Sequence, residues 1–383
     1  MKNDIGNIYP FLRDYISGRK RGLSWLSGGW KDTGDWKSAA RARIGELLGY
    51  VPQPAPLDAA VTGVVERPEY IVEEVEFNTA RHTRVKGSLL IPKTKGKAEK
   101  FPALVALHDH SGVYYFGREK LIEQRAEPPF LQKFKQSVYG GRSWAGEAAK
   151  RGYVVLCIDS FYFGSRKLDI ETLSEDIMER CPHKLRGLEP GTDAYIRTYN
   201  EICLFAESLV VKHILAAGMT WPGILVHDDM KSVDYLCSRS EVDIARIGCC
   251  GLSLGAYRAV FLAGLDDRIR CSVVAGWMST CDSLQWNRLR DHTFMLFVPL
   301  LAGQMDLADI ASLTAPNPLF VQQCARDTLF HPEGMREAVD RIRDVYAGMG
   351  HPEAFRASFY DNGHQFHAGM QEDAFSWFDR WLK

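Results

Sequence analysis

The stretch from Arg246 to Val260, Arg-Ile-Gly-Cys-Cys-Gly-Leu-Ser-Leu-Gly-Ala-Tyr-Arg-Ala-Val, narrows the folds open to this chain more than any other. It reads as a short buried strand through Ile247, Cys249 and Cys250, then Gly251-Leu252-Ser253-Leu254-Gly255, then an apolar helix. A serine on so tight a strand-to-helix turn projects its hydroxyl above the sheet. Backbone then crowds the positions two residues to either side, which requires Gly251 and Gly255 to be small, and Ala256 helps. The helix that starts here also aims backbone N–H groups and the positive end of its dipole at the serine. Alone, the pattern is also that of a glycine-punctuated turn with a surface serine, so its meaning depends on partners elsewhere.

Apolar runs recur on both sides of this turn. Pro102–His108, Tyr153–Asp159, Cys271–Gly276, Pro318–Cys324 and Phe355–Tyr360 read as strands, the first two continuous enough to be buried on both faces. Helical stretches lie between or after them: Ser143–Arg151, Asp193–Ala217, Val226–Leu236, Glu333–Tyr346 and Gln371–Leu382. The last puts Ala374, Phe375, Phe378, Trp381 and Leu382 on one face. Tyr70–Phe77 and Arg84–Ile91 look like an antiparallel pair that opens the sheet, and Lys93–Lys100 like a basic solvated loop. Such alternation predicts an α/β fold, a mostly parallel twisted sheet with helices on both faces. Sites in such sheets form at the carboxyl ends of strands.

Residues 1–66 differ in character. Ile8–Ile16 and Ala39–Leu48 read as helices, with Trp25, Trp30 and Trp36 in a Gly/Ser-rich stretch between them, and Pro52-Gln-Pro-Ala-Pro as a linker. The expected division is an N-terminal helical extension over 1–66 and a catalytic domain over 67–383, with insertions near 112–142 and 160–195. The extension is read as a cap on the site or a subunit contact, the latter implying a homo-oligomer.

With 47 basic against 48 acidic residues and no long basic block, neither nucleic acid nor an anionic membrane is an expected partner. The first residues carry no apolar run resembling a signal peptide, and no segment reaches a transmembrane length without charges. Nine scattered cysteines show no metal-ligand or disulfide spacing, so free thiols in a cytoplasmic protein are expected, with neither metal nor cofactor.

A serine hydroxyl needs a base to take its proton, and the base needs an acid to orient it. Asp327 follows the strand ending at Cys324, and His364 follows the last strand, both in loops at carboxyl ends and in the order Ser, Asp, His. The rival base is His367, which better fits the start of the closing helix. The rival acids are Asp361, Asp306 and above all Asp282, which follows the strand after the nucleophile helix. Negative charge developing on the attacked carbonyl needs two N–H donors. Leu254 supplies one, and the loop His108-Asp-His-Ser-Gly112 the other, from His110 or alternatively Asp109. The loop's His108, Asp109 and His110 could also be read as metal ligands, but no further ligand is placed beside them.

On these residues the chain resembles the α/β-hydrolases, and within them the branch of dienelactone hydrolases and acetyl xylan esterases, over about 67–383. The resemblance rests on the Ser, Asp, His set and on His108-x-His-Ser-Gly112, similar to that branch's His-Gly-x-x-Gly loop. It also rests on Asp159 with Phe163-Gly-Ser-Arg166, on Ser240-Glu-Val-Asp-x-x-Arg-Ile-Gly248, and on Ala315-Pro-Asn-Pro-Leu319. It implies a serine hydrolase that cleaves a small-molecule carboxylic ester through an acyl-enzyme. Two departures stand out. Dienelactone hydrolases use cysteine where this chain has Ser253, and Asp109 stands where that branch has glycine. The expected pocket walls are Asp109, Tyr114, Tyr115, Trp277 and Met278, with Arg166 in a structural salt bridge. Competing readings are the same triad acting on an amide, thioester or carbon–carbon bond, and a non-catalytic binding protein of hydrolase fold.

Overall fold

The computed structural model describes residues 3–17, 19–93 and 100–383. The basic loop expected at Lys93–Lys100 therefore lies largely outside the described residues. Nine strands form one sheet: β1 Ala60–Glu66, β2 Tyr70–Ala80, β3 Thr83–Pro92, β4 Phe101–Leu107, β5 Val154–Ile158, β6 Val242–Leu252, β7 Ile269–Ala275, β8 Leu319–Cys324 and β9 Phe355–Tyr360. Their order is β1-β2-β3-β5-β4-β6-β7-β8-β9. The first three pair antiparallel with one another, β3 pairs antiparallel with β5, and every later pair is parallel. The α/β class and the helix-covered parallel sheet read from the sequence are present.

One strand went unread. β1 falls in the stretch assigned to the extension, and Ala60↔Glu76 through Glu66↔Ile71 join it to β2. It is an edge strand exposed at nearly every residue, so no alternation of apolar and polar side chains marked it. The antiparallel pair expected to open the sheet is its second and third strands.

Alternation along the parallel strands splits the interior into two cores. Ala103, Val105, Leu107, Leu156, Ile247 and Cys249 pack on one side with the helices Thr33–Leu48, Trp221–Ser238 and Leu254–Leu265. Leu104, Ala106, Val155, Cys250 and Leu252 pack on the other with Pro129–Tyr139, Trp144–Lys150 and Ala368–Leu382. Cys249 and Cys250 thus point to opposite faces as structural apolar groups, consistent with the two-residue period of a strand.

The helix Thr33–Leu48 shows how the N-terminal segment is attached. Asp32 caps it by accepting from Asp35 N, and Trp36, Ala40, Ile44 and Leu48 are buried at four-residue intervals. Trp36 is fully buried and donates its indole N–H to Leu23 O at 2.8 Å. Truncating such a residue to alanine costs about 3–5 kcal/mol. Thr220 Oγ1 donates to Leu48 O at 2.6 Å, and Arg41 Nε to Gly264 O at 2.7 Å, so this helix is anchored to the main fold at its middle and at its C-terminal end.

Candidate active site

β6 delivers Ser253 in a backbone conformation that L residues avoid, φ 57° and ψ −118°. Such a conformation costs on the order of 1–3 kcal/mol and persists only where the surroundings enforce it. Here Ser253 N donates to Ala275 O at 2.9 Å, and Tyr257 N to Ser253 O at 2.9 Å, pinning the turn from both sides. A Cβ on Gly251 would come within 2.6 Å of Leu107 O, and one on Gly255 would overlap the same oxygen. The two glycines let the helix Leu254–Leu265 start against the end of β4.

Past β8, Asp327 N bonds Cys324 O and Asp327 Oδ1 accepts from Leu329 N at 2.9 Å. The second carboxylate oxygen lies 2.6 Å from His364 Nδ1. The two loops are laced together by Ala325 N to Tyr360 O and Arg326 N to Asn362 O. Asp327 is buried, whereas the His364 side chain keeps 20% exposure. With Nδ1–H given to Asp327, the His364 Nε2 edge is available to the cleft it shares with Ser253. Gly276 beside the ring sits at φ 58°, a conformation that favours glycine, and a Cβ there would lie 2.9 Å from Leu252 Cδ1.

The rival residues are engaged elsewhere. Asp282 and Asp306 both pair with Arg21, at 2.5 Å and 3.1 Å, and Asp306 caps the helix Leu307–Ser312. Asp361 is an exposed partner of Arg326. His367 caps the closing helix, its Nδ1 accepting from Gly369 N and Met370 N. Arg166 pairs with Asp228 at 2.5 Å.

The loop after β4 turns sharply at Ser111 and Gly112, φ 45° and 65°. Its three polar side chains diverge. His108 donates Nδ1–H to Asp109 O at 2.9 Å and accepts at Nε2 from Ser160 Oγ at 2.8 Å, and burial holds its pKa well below 6.5. Asp109 turns inward, Oδ1 accepting from Tyr139 Oη at 2.5 Å and Oδ2 lying 3.6 Å from Lys120 Nζ. His110 accepts from Gly112 N at Nδ1 and points Nε2 at Glu207. Lys120, fully buried, donates to Asp109 O at 2.8 Å and to His110 O at 3.2 Å. In a trans peptide C=O and N–H point opposite ways, so holding Asp109 O inward turns the His110 N–H outward. The N–H groups of His110 and Leu254 meet no acceptor among the described residues.

No family model matches the chain. It is 28% identical over 348 residues to the Bacillus subtilis (strain 168) protein named "Putative hydrolase YtaP", an alignment covering 90% of this chain and all of that one. A crystal structure of "a putative acetyl xylan esterase" from Bacteroides fragilis superposes with TM-score 0.69 at 17% identity, covering 94% of this chain and 83% of that one. A glucuronoyl esterase from Solibacter usitatus superposes with TM-score 0.62 at 13% identity, covering 95% and 98%. The chain has the α/β-hydrolase fold. Its elbow, the loops after β8 and β9, and the loop after β4 therefore occupy one edge of a hydrolase sheet.

The cleft at that edge measures about 380 Å³ and is walled by His110, Ser111 and Gly112, by Leu204 and Glu207, by Ser253 and Leu254, by 290–293 and Leu296, and by Leu329 and His364. None of the five expected pocket residues lines it. Asp109 is drawn inward by Tyr139 and Lys120. Tyr114 is buried behind His110, Tyr115 packs edge-on to Tyr195 and Tyr199, Trp277 packs against Tyr257 and Phe330, and Met278 is fully buried. The described part of the N-terminal segment also stays outside the cleft. It packs against the 282–287 segment, which precedes the 290–293 wall in the chain, through Arg21 on Asp282, Arg13 over the Trp286 ring at 4.8 Å, and Asp4 N on Asn287 Oδ1.

Glu207 is the residue that the sequence reading missed. It lies in the helix Asp193–Ala216, buried, and accepts from Tyr114 Oη, His110 Nε2 and Thr293 Oγ1. Burial opposes its charge, but the hydrogen bonds from His110, Thr293 and Tyr114 outweigh it and hold the carboxyl below its usual range. An acid flanked by Cys203, Ala206 and Val211 on the buried face of a helix was the available signal.

Proposed function

We propose that this protein hydrolyses carboxylic esters of short acyl groups, with Ser253 as nucleophile, His364 as general base and Asp327 as its orienting acid. Ser253 Oγ attacks the ester carbonyl as His364 Nε2 takes its proton, and the carbonyl becomes a tetrahedral oxyanion. The N–H groups of Leu254 and His110 receive that charge. Collapse breaks the bond to the alcohol oxygen, which leaves with the proton from His364. Water then repeats the sequence on the acyl-enzyme and frees the acid. Positioned base catalysis contributes on the order of 10²–10⁴ in rate, and each oxyanion donor about 10²–10³.

The observation that carries the reading is the 2.6 Å contact of His364 Nδ1 with Asp327 Oδ2 at the wall of the cleft that also holds the strained Ser253. The esterase names of the two superposed structures point to the same bond. The reaction requires no cofactor. A cytoplasmic location is proposed from nine unpaired cysteines, seven of them buried, and self-association of the N-terminal segment is proposed from Phe11 and Tyr15, exposed and stacked on one another along the helix Tyr9–Ser17, with exposed Ile8 just before it. A fluorophosphonate probe tests the chemistry. The expected result is one adduct per chain, located at Ser253 by peptide mass spectrometry and absent in Ser253→Ala. Labelling that persists in Ser253→Ala contradicts the assignment.

A further inference from the structure

The Glu207 carboxylate is used unevenly. All three of its hydrogen bonds fall on Oε1, from His110 Nε2 at 3.4 Å, Tyr114 Oη at 3.3 Å and Thr293 Oγ1. Oε2 takes none of them and has no partner among the described residues. A carboxylate offers about four acceptor positions, and those of Oε2 are open to the solvent of the cleft, since Oε2 is not among the side-chain atoms that are both sealed from solvent and unpartnered. The Glu207 side chain is only 6% exposed, yet it forms part of the cleft wall. What reaches Oε2 is therefore what enters the cleft.

We propose that Glu207 Oε2 is a binding subsite for a hydroxyl group of the substrate, so that the preferred substrates are neutral, hydroxyl-bearing esters. This rests on the ester-hydrolase reading and narrows it. Three observations define the chemistry. The bonds on Oε1 fix the carboxylate from behind, so it acts as a preorganised acceptor and not as a mobile side chain. The other charges of the wall, Arg290 and Asp291, are solvent-exposed and pair with each other at 3.0 Å, so Glu207 is the buried charge that an entering group meets, which disfavours an anion. Leu204, Leu296 and Leu329 share the wall. An ammonium would turn its remaining donors toward them unsatisfied, whereas a hydroxyl has one donor and spends it on Oε2.

Two substrate pairs test the subsite, one varied on the alcohol side and one on the acyl side: glyceryl monoacetate against propyl acetate, and the 4-nitrophenyl esters of 3-hydroxybutyrate and butyrate. The readout is the ratio of kcat/KM within each pair. The wild type is expected to favour the hydroxylated member in one pair, and which pair it is locates Glu207 on the alcohol or acyl side. Glu207→Gln keeps an oxygen for the three donors but can turn an amide N–H₂ toward the cleft. It is expected to lower that ratio by about tenfold, the size of one hydrogen bond to a charged group, and to raise turnover of acetoxyacetate relative to propyl acetate. Ratios unchanged by Glu207→Gln overturn the proposal. If the variant does not fold, the wild-type ratios decide, because no hydroxyl preference in either pair also overturns it. Failure of the hydrolase reading looks different: 4-nitrophenyl butyrate turnover would then be independent of Ser253.

Discussion

Lys120 Nζ lies 2.8 Å from the carbonyl oxygen of Asp109, on the inner side of the peptide whose outer side is the His110 N–H. The same oxygen also accepts from His108 Nδ1. Two donors on one carbonyl fix the plane of that peptide, and with it the direction of the N–H proposed as the second oxyanion donor. On that proposal Lys120, fully buried and outside the cleft wall, is a positioning residue.

Lys120→Met is expected to lower kcat by about 10–100-fold, up to the effect of losing one oxyanion donor, while KM for a 4-nitrophenyl ester changes little. Lys120→Gln, which restores a donor, should recover part of kcat. A merely structural role would instead lower the active fraction and leave kcat per titrated active site unchanged.

Asp327→Asn leaves the imidazole in the wrong tautomer, so a loss of about 10⁴ in kcat is expected. Asp282→Asn removes one partner of Arg21, which keeps Asp306 at 3.1 Å, and should leave kcat within a factor of two. Parallel kcat measurements on the two variants check the assignment, and the reverse pattern would make Asp282 the acid.

Much of this site could be read in the chain, and the reason lies in where each residue's constraint is written. Ser253, Gly251 and Gly255 are constrained by backbone sterics within five residues, so the local pattern carries them. Asp327 and His364 are constrained by strand ends, which the apolar runs before them reveal. Asp109 and Glu207 are constrained by partners far along the chain, Lys120 and Tyr139 for one, His110 and Thr293 for the other. Local pattern holds no record of those pairings, so Asp109 was placed in the pocket and Glu207 was missed. β1 was overlooked for a related reason, since an exposed edge strand is held by hydrogen bonds to β2 and not by side-chain burial.

Acid should weaken the fold from near neutrality. Burial, with Lys120 adding to it, holds His108 well below its usual 6.5, so the native state keeps it neutral while the unfolded chain binds a proton as pH falls through 6.5. The unfolded state then carries more protons, and stability decreases by up to about 1.4 kcal/mol per pH unit until the native-state pKa is reached. His292, also lowered mainly by burial, acts in the same direction. Urea unfolding at pH 7.5 and pH 5.5 should show the decrease, with a smaller one in His108→Gln. Equal slopes in the two proteins would remove His108 from the account.

The most direct measurement is kcat/KM of Ser253→Ala on 4-nitrophenyl acetate, with folding verified by circular dichroism. A serine nucleophile predicts a fall on the order of 10⁴ or more. Retention of more than a tenth of wild-type activity would contradict it.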